Sequence, residues 1–300
     1  MINVRLAQKC EVEKLKEIWK LSFIGDSDEN IENYYNYCFR EEETMLLLYD
    51  EEIASMLTML PVKLTEEDLK RRNSTMVYAV ATHPKYRKRG FATKLMNFTH
   101  QYLQDKNNVF SLLVPEGEHL FGFYRQLGYE DGFYVRESLL TKDDIETQTV
   151  DNIESCSIKK AEAAEYNLIR NRCLQGKQYI SYDDKDIAYQ KIISKQAGAD
   201  IYRLQIGEIE GCAAIERLSQ DKIIIKEILI PDQLLMIAVE QIMKVHHAKE
   251  YVIRMPLFLG TNLTSVVRTF GMIKATENKN TILPDENFKI GVAYLGLAFD

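Results

Sequence analysis

The chain has 300 residues, of which 46% are hydrophobic and 28% charged, a composition typical of a globular protein with enough material for two ordinary domains. Its 45 acidic residues outnumber its 38 basic residues and give a net charge of −7. This balance argues against binding nucleic acid over a broad face, which needs clustered Lys and Arg, and it suits a cationic partner better.

The cysteines and the apolar segments indicate the compartment. No C-x-x-C pair and no histidine at metal-ligand spacing accompanies the five cysteines, which are Cys10, Cys38, Cys156, Cys173 and Cys212. We therefore expect free thiols in a reducing compartment and no bound metal. No segment has the length of a signal peptide's apolar region at the start or the ~18 apolar residues of a membrane span later. These features predict a cytoplasmic protein with no membrane contact.

Hydrophobic periodicity predicts a definite order of elements in the first half. An extended segment, an amphipathic helix, a hairpin, a β-rich run ending at a proline, a long helix and a further strand are expected at residues 3–7, 12–23, 45–54, 75–84, 91–104 and 109–115. A short helix then ends at Gly128, where a helix C-terminus needs a left-handed residue.

The second half repeats this order. The corresponding elements are expected at residues 157–161, 165–173, 201–210, 222–231, 234–246 and 251–256. A short helix at 266–272, ending at Gly271, is predicted to match the one that ends at Gly128. The shared order indicates an internal duplication, and two unrelated α/β domains are the alternative. The polar, aperiodic segment 141–151 is predicted to be the linker, which gives domains at 1–145 and 146–300.

A basic loop, Lys85–Gly90, joins the predicted strand 75–84 to the helix that begins at Phe91. Backbone N–H groups at a helix N-terminus lack intrahelical partners, and the helix dipole adds partial positive charge, so such a loop favours an anion. Gly90 permits close backbone approach, and pyrophosphate is the expected guest. A solvated turn and a small nucleic-acid patch are the alternatives.

Two segments resemble one known family. Residues 80–92 resemble the coenzyme-A-binding strand, loop and helix of the GNAT superfamily of N-acyltransferases, whose loop signature is Gln/Arg-x-x-Gly-x-Gly/Ala. Arg87, Gly90 and Ala92 occupy its three defined positions. Residues 123–130 are similar to the second acyl-CoA segment of that superfamily, in which a tyrosine, here Tyr124, opens a helix-to-strand turn. The resemblance covers roughly residues 75–135 in the expected order.

The resemblance implies an α/β (α+β) fold of two tandem GNAT-like domains, each a mixed twisted sheet flanked by helices. It implies acetyl-CoA as the acyl donor, lying where two neighbouring strands separate. The implied cofactor-binding residues are Val80, Ala81, Thr82, Arg87, Lys88, Arg89, Gly90, Phe91, Ala92 and Thr93. By the same analogy residues 80–82 contact the pantetheine arm and supply an N–H for the oxyanion, and residues 88–93 hold the pyrophosphate.

Acyl transfer to an amine expels a thiolate, which a nearby hydroxyl can protonate. Tyr124 is the predicted general acid, and an aromatic ring packed under a turn is the alternative. His83, His100 and His119 are single histidines in no catalytic pattern, so no general base is assigned.

The second copy lacks these features. Its turn, at 231–238, has neither a glycine nor a cation, and Val267 stands where the first copy has Tyr124. Residues 146–300 are therefore predicted to be a degenerate GNAT-like domain that binds no acyl-CoA.

The chain is also distantly similar to the enhanced-intracellular-survival group of aminoglycoside acetyltransferases, although it is too short for that group's third domain. In that group the terminal carboxylate enters the active cleft, which implies such a role for Asp300. A last strand at 293–300 that completes the second sheet is the alternative.

The acceptor is expected to be a small-molecule or peptide amine. The acidic loop 25–32 borders the acceptor in the superfamily and is a candidate for steering an amine, with a solvated helix N-cap as the alternative. Amine identity, the base and the oligomeric state are left open, a homo-oligomer included. The rival functions are a non-catalytic acyl-CoA-binding regulator and a nucleic-acid module built on residues 86–89.

Overall fold

The computed structural model describes residues 1–148, 156–276 and 291–299. The described residues form strands β1 to β13 at Ile2–Leu6, Thr44–Tyr49, Glu52–Thr65, Arg71–Thr82, Phe110–Leu113, Glu130–Thr141, Cys156–Lys160, Tyr179–Ser181, Ile201–Ile206, Ile209–Ser219, Lys222–Leu229, Glu250–Met255 and Val266–Ala275. They form helices α1 to α8 at Val12–Ser22, Asp28–Asn33, Phe91–Asp105, Glu118–Gln126, Lys142–Gln148, Ala163–Cys173, Asp184–Gln196 and Leu235–Val245. No helix among these is long and apolar enough to cross a bilayer.

The chain divides into two compact units, and each unit is assembled from segments that are distant in sequence. The first consists of Met1–Leu64, Lys70–Gly132 and Gly271–Ile290, of which residues 271–276 are described in the last segment. The described parts of Thr65–Leu69, Phe133–Phe270 and Gly291–Asp300 form the second. The predicted division at residue 145 falls inside α5, whereas the compact units change over at residue 133 and again at residue 271.

The first unit contains a mixed sheet in the order β1-β2-β3-β4-β5-β13. Strands β1 to β3 pair antiparallel, β4 and β5 pair parallel, and β13 pairs antiparallel with β5 through residues 272–275. Helix α3 packs against β2 and β4, and α1 packs against β4. Leu15, Ile18 and Trp19 form the buried stripe of α1 at the helical spacing that predicted it.

The second unit repeats this arrangement with a sheet in the order β6-β12-β11-β10-β9-β7. Strands β11 and β12 pair parallel, and the remaining neighbours pair antiparallel. Helices α6 and α7 pack against β10, and α8 packs against β7. The strands and the long helices of both halves therefore follow the predicted order, and the predicted mixed sheet flanked by helices is confirmed.

The predicted helix at 266–272 is wrong, because these residues belong to strand β13. Val266 and Val267 are β-branched, and Gly271 has an extended backbone rather than the left-handed conformation of Gly128. Pairing of residues 272–275 with β5 provides hydrogen bonds that a helix there would lose. Val267 is therefore not the structural counterpart of Tyr124, and residues 257–265, which follow β12, contain no tyrosine.

The predicted linker also contains regular structure, since residues 142–148 form α5. Thr141 caps this helix: the Asp144 N–H donates to Thr141 Oγ1 at 3.2 Å, and the Thr141 N–H donates to Asp144 Oδ2 at 2.8 Å. This reciprocal pair is a capping box, a signal that was readable in the sequence. Residues 149–151 of the predicted linker lie outside the described residues.

Contact between Gly132 and β13 provides a test of this strand arrangement. A Cβ at Gly132 would lie 2.4 Å from Ile273 Cγ2 and 2.8 Å from Ile273 Cβ. We expect Gly132→Ala to lower the free energy of unfolding by about 1–3 kcal/mol, because β13 must shift to admit the methyl group. Urea unfolding followed by circular dichroism measures this change.

Gly25→Ala is the matched control, since no atom lies within 4 Å of a Cβ at Gly25. Its unfolding free energy is expected to stay within about 0.5 kcal/mol of the wild-type value. Equal effects of the two substitutions would show that β13 does not pack on Gly132.

Candidate active site

Strands β4 and β5 separate at the centre of the first unit. Their paired residues are Ser74–Met76 with Phe110–Leu112, and β5 ends at Leu113 while β4 continues to Thr82. Ala79, within this continuation, has a φ of 49°, a left-handed conformation that costs a non-glycine residue about 1–2 kcal/mol. The strand is thus irregular near the point where β5 ends, and no described strand pairs with this edge of β4 beyond Met76, which leaves the edge open.

The opposite edge of β4 is held by β3. The Ser55 hydroxyl donates to Ala81 O at 2.6 Å and lies 2.9 Å from Thr82 Oγ1. The His83 N–H donates to Ala54 O at 3.0 Å. These bonds hold residues 80–82 on the side of β3, while their other side belongs to the open edge.

Helix α3 follows residues 80–82 after the basic loop, and it begins without a side-chain cap. Gly90 is its N-cap residue, with φ 72° and ψ 17°, and the first intrahelical bond runs from the Lys94 N–H to Gly90 O at 3.0 Å. The N–H groups of Phe91, Ala92 and Thr93 therefore have no intrahelical acceptor. Together with the helix dipole they form a positive amino end that suits an anion.

Of the three consecutive cations at residues 87–89, two are held by contacts within the first unit. Arg87 Nε donates to Thr82 O at 3.1 Å, and Arg87 Nη2 donates to Leu21 O at 3.1 Å, which ties the loop to the end of α1. Arg89 lies over the rings of Tyr49 and Tyr86, 5.6 and 5.5 Å from their centres. Contact of Arg87 and Arg89 with a cofactor stays a prediction.

Lys88 differs from these two cations. It is exposed and has a φ of 64°, so the loop turns twice through the left-handed region, at Lys88 and at Gly90. Turns of this general kind can direct successive backbone N–H groups toward one side, the arrangement known as an anion-binding nest. The loop therefore combines backbone donors with an available ammonium group at the amino end of α3.

Tyr124 lies on α4 and packs in the same core cluster as Phe91 and Leu95, with Val80 against that cluster. The helix ends in a Schellman motif: the Tyr129 N–H donates to Tyr124 O at 3.1 Å and the Gly128 N–H to Arg125 O at 3.0 Å. The hydrophobic contact typical of this motif is the edge-on packing of Tyr124 and Tyr129, whose ring centres are 5.9 Å apart. The motif thereby fixes the orientation of the Tyr124 ring.

The environment of Tyr124 keeps its hydroxyl protonated. Burial, with a smaller contribution from the charge of Glu116, raises the pKa of Tyr124 to about 12. The side chain is 7% exposed, and its hydroxyl forms no hydrogen bond with the described residues. Tyr124 is therefore available as a proton donor over the whole neutral range.

The acidic loop 25–32 is a helix start, which was the alternative interpretation. Ser27 Oγ accepts from the Asn30 N–H at 3.1 Å and caps α2. Three of its carboxylates contact side chains of α1, in the pairs Asp26 with Trp19 Nε1, Asp28 with Lys20 and Glu32 with Lys16. The two lysine contacts offset part of the negative charge that would steer an amine.

In the second unit the corresponding turn is closed by its own residues. Asp232 Oδ1 accepts from the Gly260 N–H at 2.6 Å, so a carboxylate occupies the turn that precedes α8. The β10–β11 register shifts at Lys226, at the same distance before Pro231 as Ala79 is before Pro84. The strand irregularity is thus present in both units, but the turn at 231–238 lacks the glycine and the cations of the predicted anion-binding turn in the first.

The space beside β11 is filled by a buried ion pair and by residues 293–299. Arg170 Nε donates to Glu227 Oε2 at 2.9 Å, and neither side chain is exposed. Arg170 Nη2 also donates to Leu295 O at 3.2 Å, and a Cβ at Gly296 would lie 2.2 Å from Glu227 Oε1. Residues 293–299 therefore pack in the second unit without forming a strand, and Asp300 lies outside the described residues.

A family model matches the part of the chain that contains the candidate site residues. Residues 3–132 match the family model described as "Acetyltransferase (GNAT) domain". That interval contains every candidate site residue from Val80 to Tyr124. Comparison with curated proteins gives no match.

Solved structures share the fold at low sequence identity. A probable N-acyltransferase from Enterococcus faecalis has a TM-score of 0.71 at 17% identity, covering 92% of this chain and 73% of that chain. Eis1 from Mycobacterium abscessus has a TM-score of 0.70 at 10% identity, covering 92% and 74%. A tandem GNAT protein from the clavulanic acid biosynthesis pathway has a TM-score of 0.52 at 9% identity, covering 93% and 100%. The predicted fold of two tandem GNAT-like domains is thereby confirmed.

The Schellman motif behind Tyr124 can be tested at Gly128, which has a φ of 85°. The nearest atoms to a Cβ there belong to Lys274, at an ordinary contact distance of 3.5 Å, so the cost of Gly128→Ala is backbone strain. We expect the unfolding free energy to fall by about 1–2 kcal/mol, measured by urea titration.

Gly122→Ala provides the control on the same helix. Gly122 lies inside α4 with no atom within 4 Å of a Cβ, so alanine is expected to stabilise by about 0.5–1 kcal/mol. Effects of the same sign for the two substitutions would contradict the left-handed end of α4.

Proposed function

We propose, because residues 3–132 match the model of the GNAT acetyltransferase domain, that this chain is an acetyl-CoA-dependent N-acetyltransferase. It would move an acetyl group to a primary amine by direct attack in a ternary complex, with Tyr124 as the general acid. One observation carries the proposal: the open edge of β4, the uncapped amino end of α3 and Tyr124 belong to the same compact unit. Each supplies a different part of the chemistry.

The donor would lie across the first two of these features. Its diphosphate would accept from the N–H groups of Phe91, Ala92 and Thr93, with Lys88 adding charge attraction. Its pantetheine arm would follow the backbone of residues 80–82 along the edge that β5 leaves open. Peptide-like groups of that arm suit an unpaired strand edge because they can replace the missing strand's hydrogen bonds.

The reaction would then proceed by nucleophilic addition and elimination. The amine nitrogen attacks the thioester carbon, a C–N bond forms, and the carbonyl oxygen takes the negative charge, which a backbone N–H of residues 80–82 would stabilise. Collapse of this intermediate breaks the C–S bond, and Tyr124 donates its proton to the departing sulfur. The amine loses a proton to a base that is left unassigned.

The raised pKa of Tyr124 fits this role. With a pKa of about 12 the hydroxyl keeps its proton up to and beyond the pH at which half of a lysine-like amine is neutral, since such an amine has a reference pKa of ~10.4. Turnover should therefore rise with pH toward that value without a fall caused by loss of the Tyr124 proton. A small-molecule or peptide amine is proposed as the acceptor.

The closed turn of the second unit predicts how many acetyl-CoA molecules bind to each chain. We expect titration calorimetry to give one acetyl-CoA per chain, because Asp232 and its bond to Gly260 N–H leave no anion site before α8. Lys88→Ala should weaken binding about tenfold, whereas Lys249→Ala, an equally simple change at an exposed lysine of the second unit, should not. Two equivalent sites would refute the prediction that the second unit binds no acetyl-CoA, and absence of any binding would refute the proposed enzymatic function.

Tyr124→Phe tests the general acid. It removes the hydroxyl that forms no hydrogen bond with the described residues and keeps the ring contact with Tyr129. We expect kcat to fall about 100-fold or more, while the Kd for acetyl-CoA stays within about twofold, measured by thiol release and calorimetry.

Phe123→Leu, a change in the neighbouring ring that leaves the Tyr124 hydroxyl in place, is the control and is expected to retain most of the turnover. Unchanged kcat in Tyr124→Phe would remove Tyr124 from the mechanism. Binding of acetyl-CoA without turnover over a panel of amines would favour a non-catalytic regulator.

A further inference from the structure

Strand β13 brings one charged side chain under the helix that carries Tyr124. In the β5–β13 register Lys274 stands opposite Ser111, so the two side chains lie on the same face of the sheet. Met272, two residues earlier on that face, packs in the core cluster with Tyr124 and Tyr129. Lys274, which is 150 positions from Tyr124 in the chain, therefore lies next to α4, the helix that carries Tyr124.

Lys274 contacts the carboxyl end of α4. Its Nζ donates to Leu127 O at 2.6 Å, and Leu127 is the residue at which the helix ends. The last carbonyl groups of a helix have no intrahelical donor, and a cation there is favoured by the helix dipole. The nine-residue helix α4 is too short to be stable by itself, so this contact holds in place the turn that orients Tyr124.

The same ammonium group orders a chain of buried hydrogen bonds. Lys274 Nζ lies 3.1 Å from His100 Nδ1, and His100 Nε2 lies 2.9 Å from the Tyr129 hydroxyl. The Tyr129 hydroxyl lies 2.6 Å from Ser111 Oγ. An ammonium can only donate, so His100 Nδ1 accepts and its proton is on Nε2, which donates to Tyr129.

His100 is kept in this neutral form by its surroundings. Burial, followed by the charge of Lys274, lowers the pKa of His100 to about 4. A neutral ring with one acceptor and one donor is what the chain of bonds from Lys274 to Tyr129 requires. Tyr129 in turn packs edge-on against Tyr124.

From these contacts we infer that Lys274 is a positioning residue for the proposed general acid Tyr124. It acts along two routes, directly on the end of α4 through Leu127 and indirectly through His100 and Tyr129. This inference rests on the proposed function, since Tyr124 must take part in turnover for its orientation to matter. Through Lys274, residues 271–276 would thus help to orient the proposed general acid of the first unit.

The test compares turnover with acetyl-CoA binding. Lys274→Met keeps the length of the side chain but removes the donor, and we expect kcat to fall about tenfold while the KM and Kd for acetyl-CoA stay within about twofold. Lys274→Arg keeps a cation and donors and should recover most of kcat. Lys249→Met makes the same chemical change on the surface of the second unit and should leave kcat unchanged.

Two variants of His100 test the same inference if Lys274→Met does not fold. His100→Gln supplies one acceptor and one donor, as the assigned form of His100 does, and should retain turnover, whereas His100→Leu should lower kcat about fivefold with normal acetyl-CoA binding.

Unchanged kcat in both Lys274→Met and His100→Leu would overturn the positioning role while the proposed function stands. Parallel loss of acetyl-CoA affinity and kcat would also overturn it, since that pattern indicates general damage to the unit. If the wild-type protein binds acetyl-CoA but transfers no acetyl group, the proposed function itself fails.

Discussion

The first unit depends on the pairing of strand β5, which is only four residues long and is hydrogen-bonded on both edges. Its parallel pairing with β4 stops at Leu112, and this early stop leaves the end of β4 with an open edge beside α3. Its antiparallel pairing with β13 brings Met272 and Lys274 beneath α4. A longer β5 would close the edge on which the proposed site depends, and a β5 without β13 would leave Tyr124 without its support.

Elements whose pattern is local could be predicted from the sequence, and those fixed by distant partners could not. Helices α1, α3 and α8 begin and end within two residues of the predicted bounds, because each has a continuous apolar stripe. Strand β13 was predicted as a helix because its glycine was matched to Gly128, although its extended form is set by pairing with β5. Helix α5 is different, since the Thr141 and Asp144 capping box was a readable signal.

The same distinction applies to the candidate site. Gly90 and the basic loop were recognisable because strand, loop and helix are consecutive, and the structure adds that Gly90 is the N-cap of α3 with a left-handed backbone. The contacts of Arg87 with the end of α1 and of Arg89 with Tyr49 involve residues about 40 or more positions away, so no local pattern reports them. The contact between Lys274 and Leu127 O is more distant still, and no pattern at either residue indicates it.

In the second unit, protein groups occupy the positions that correspond to the proposed site. Glu227 stands as far before Pro231 as Val80 stands before Pro84, so a carboxylate occupies the strand position that corresponds to Val80 of the proposed site. A buried carboxylate is costly unless it is paired, and Glu227 is paired with Arg170 and accepts a hydrogen bond from the Tyr166 hydroxyl at 2.8 Å. Arg170 in turn binds Ile180 O and Leu295 O, which fixes residues 293–299 in the remaining space. Removal of either charge would leave the other buried and unpaired, which would lower the folding stability. The stability of the second unit therefore requires this ion pair, whether or not the chain transfers acetyl groups.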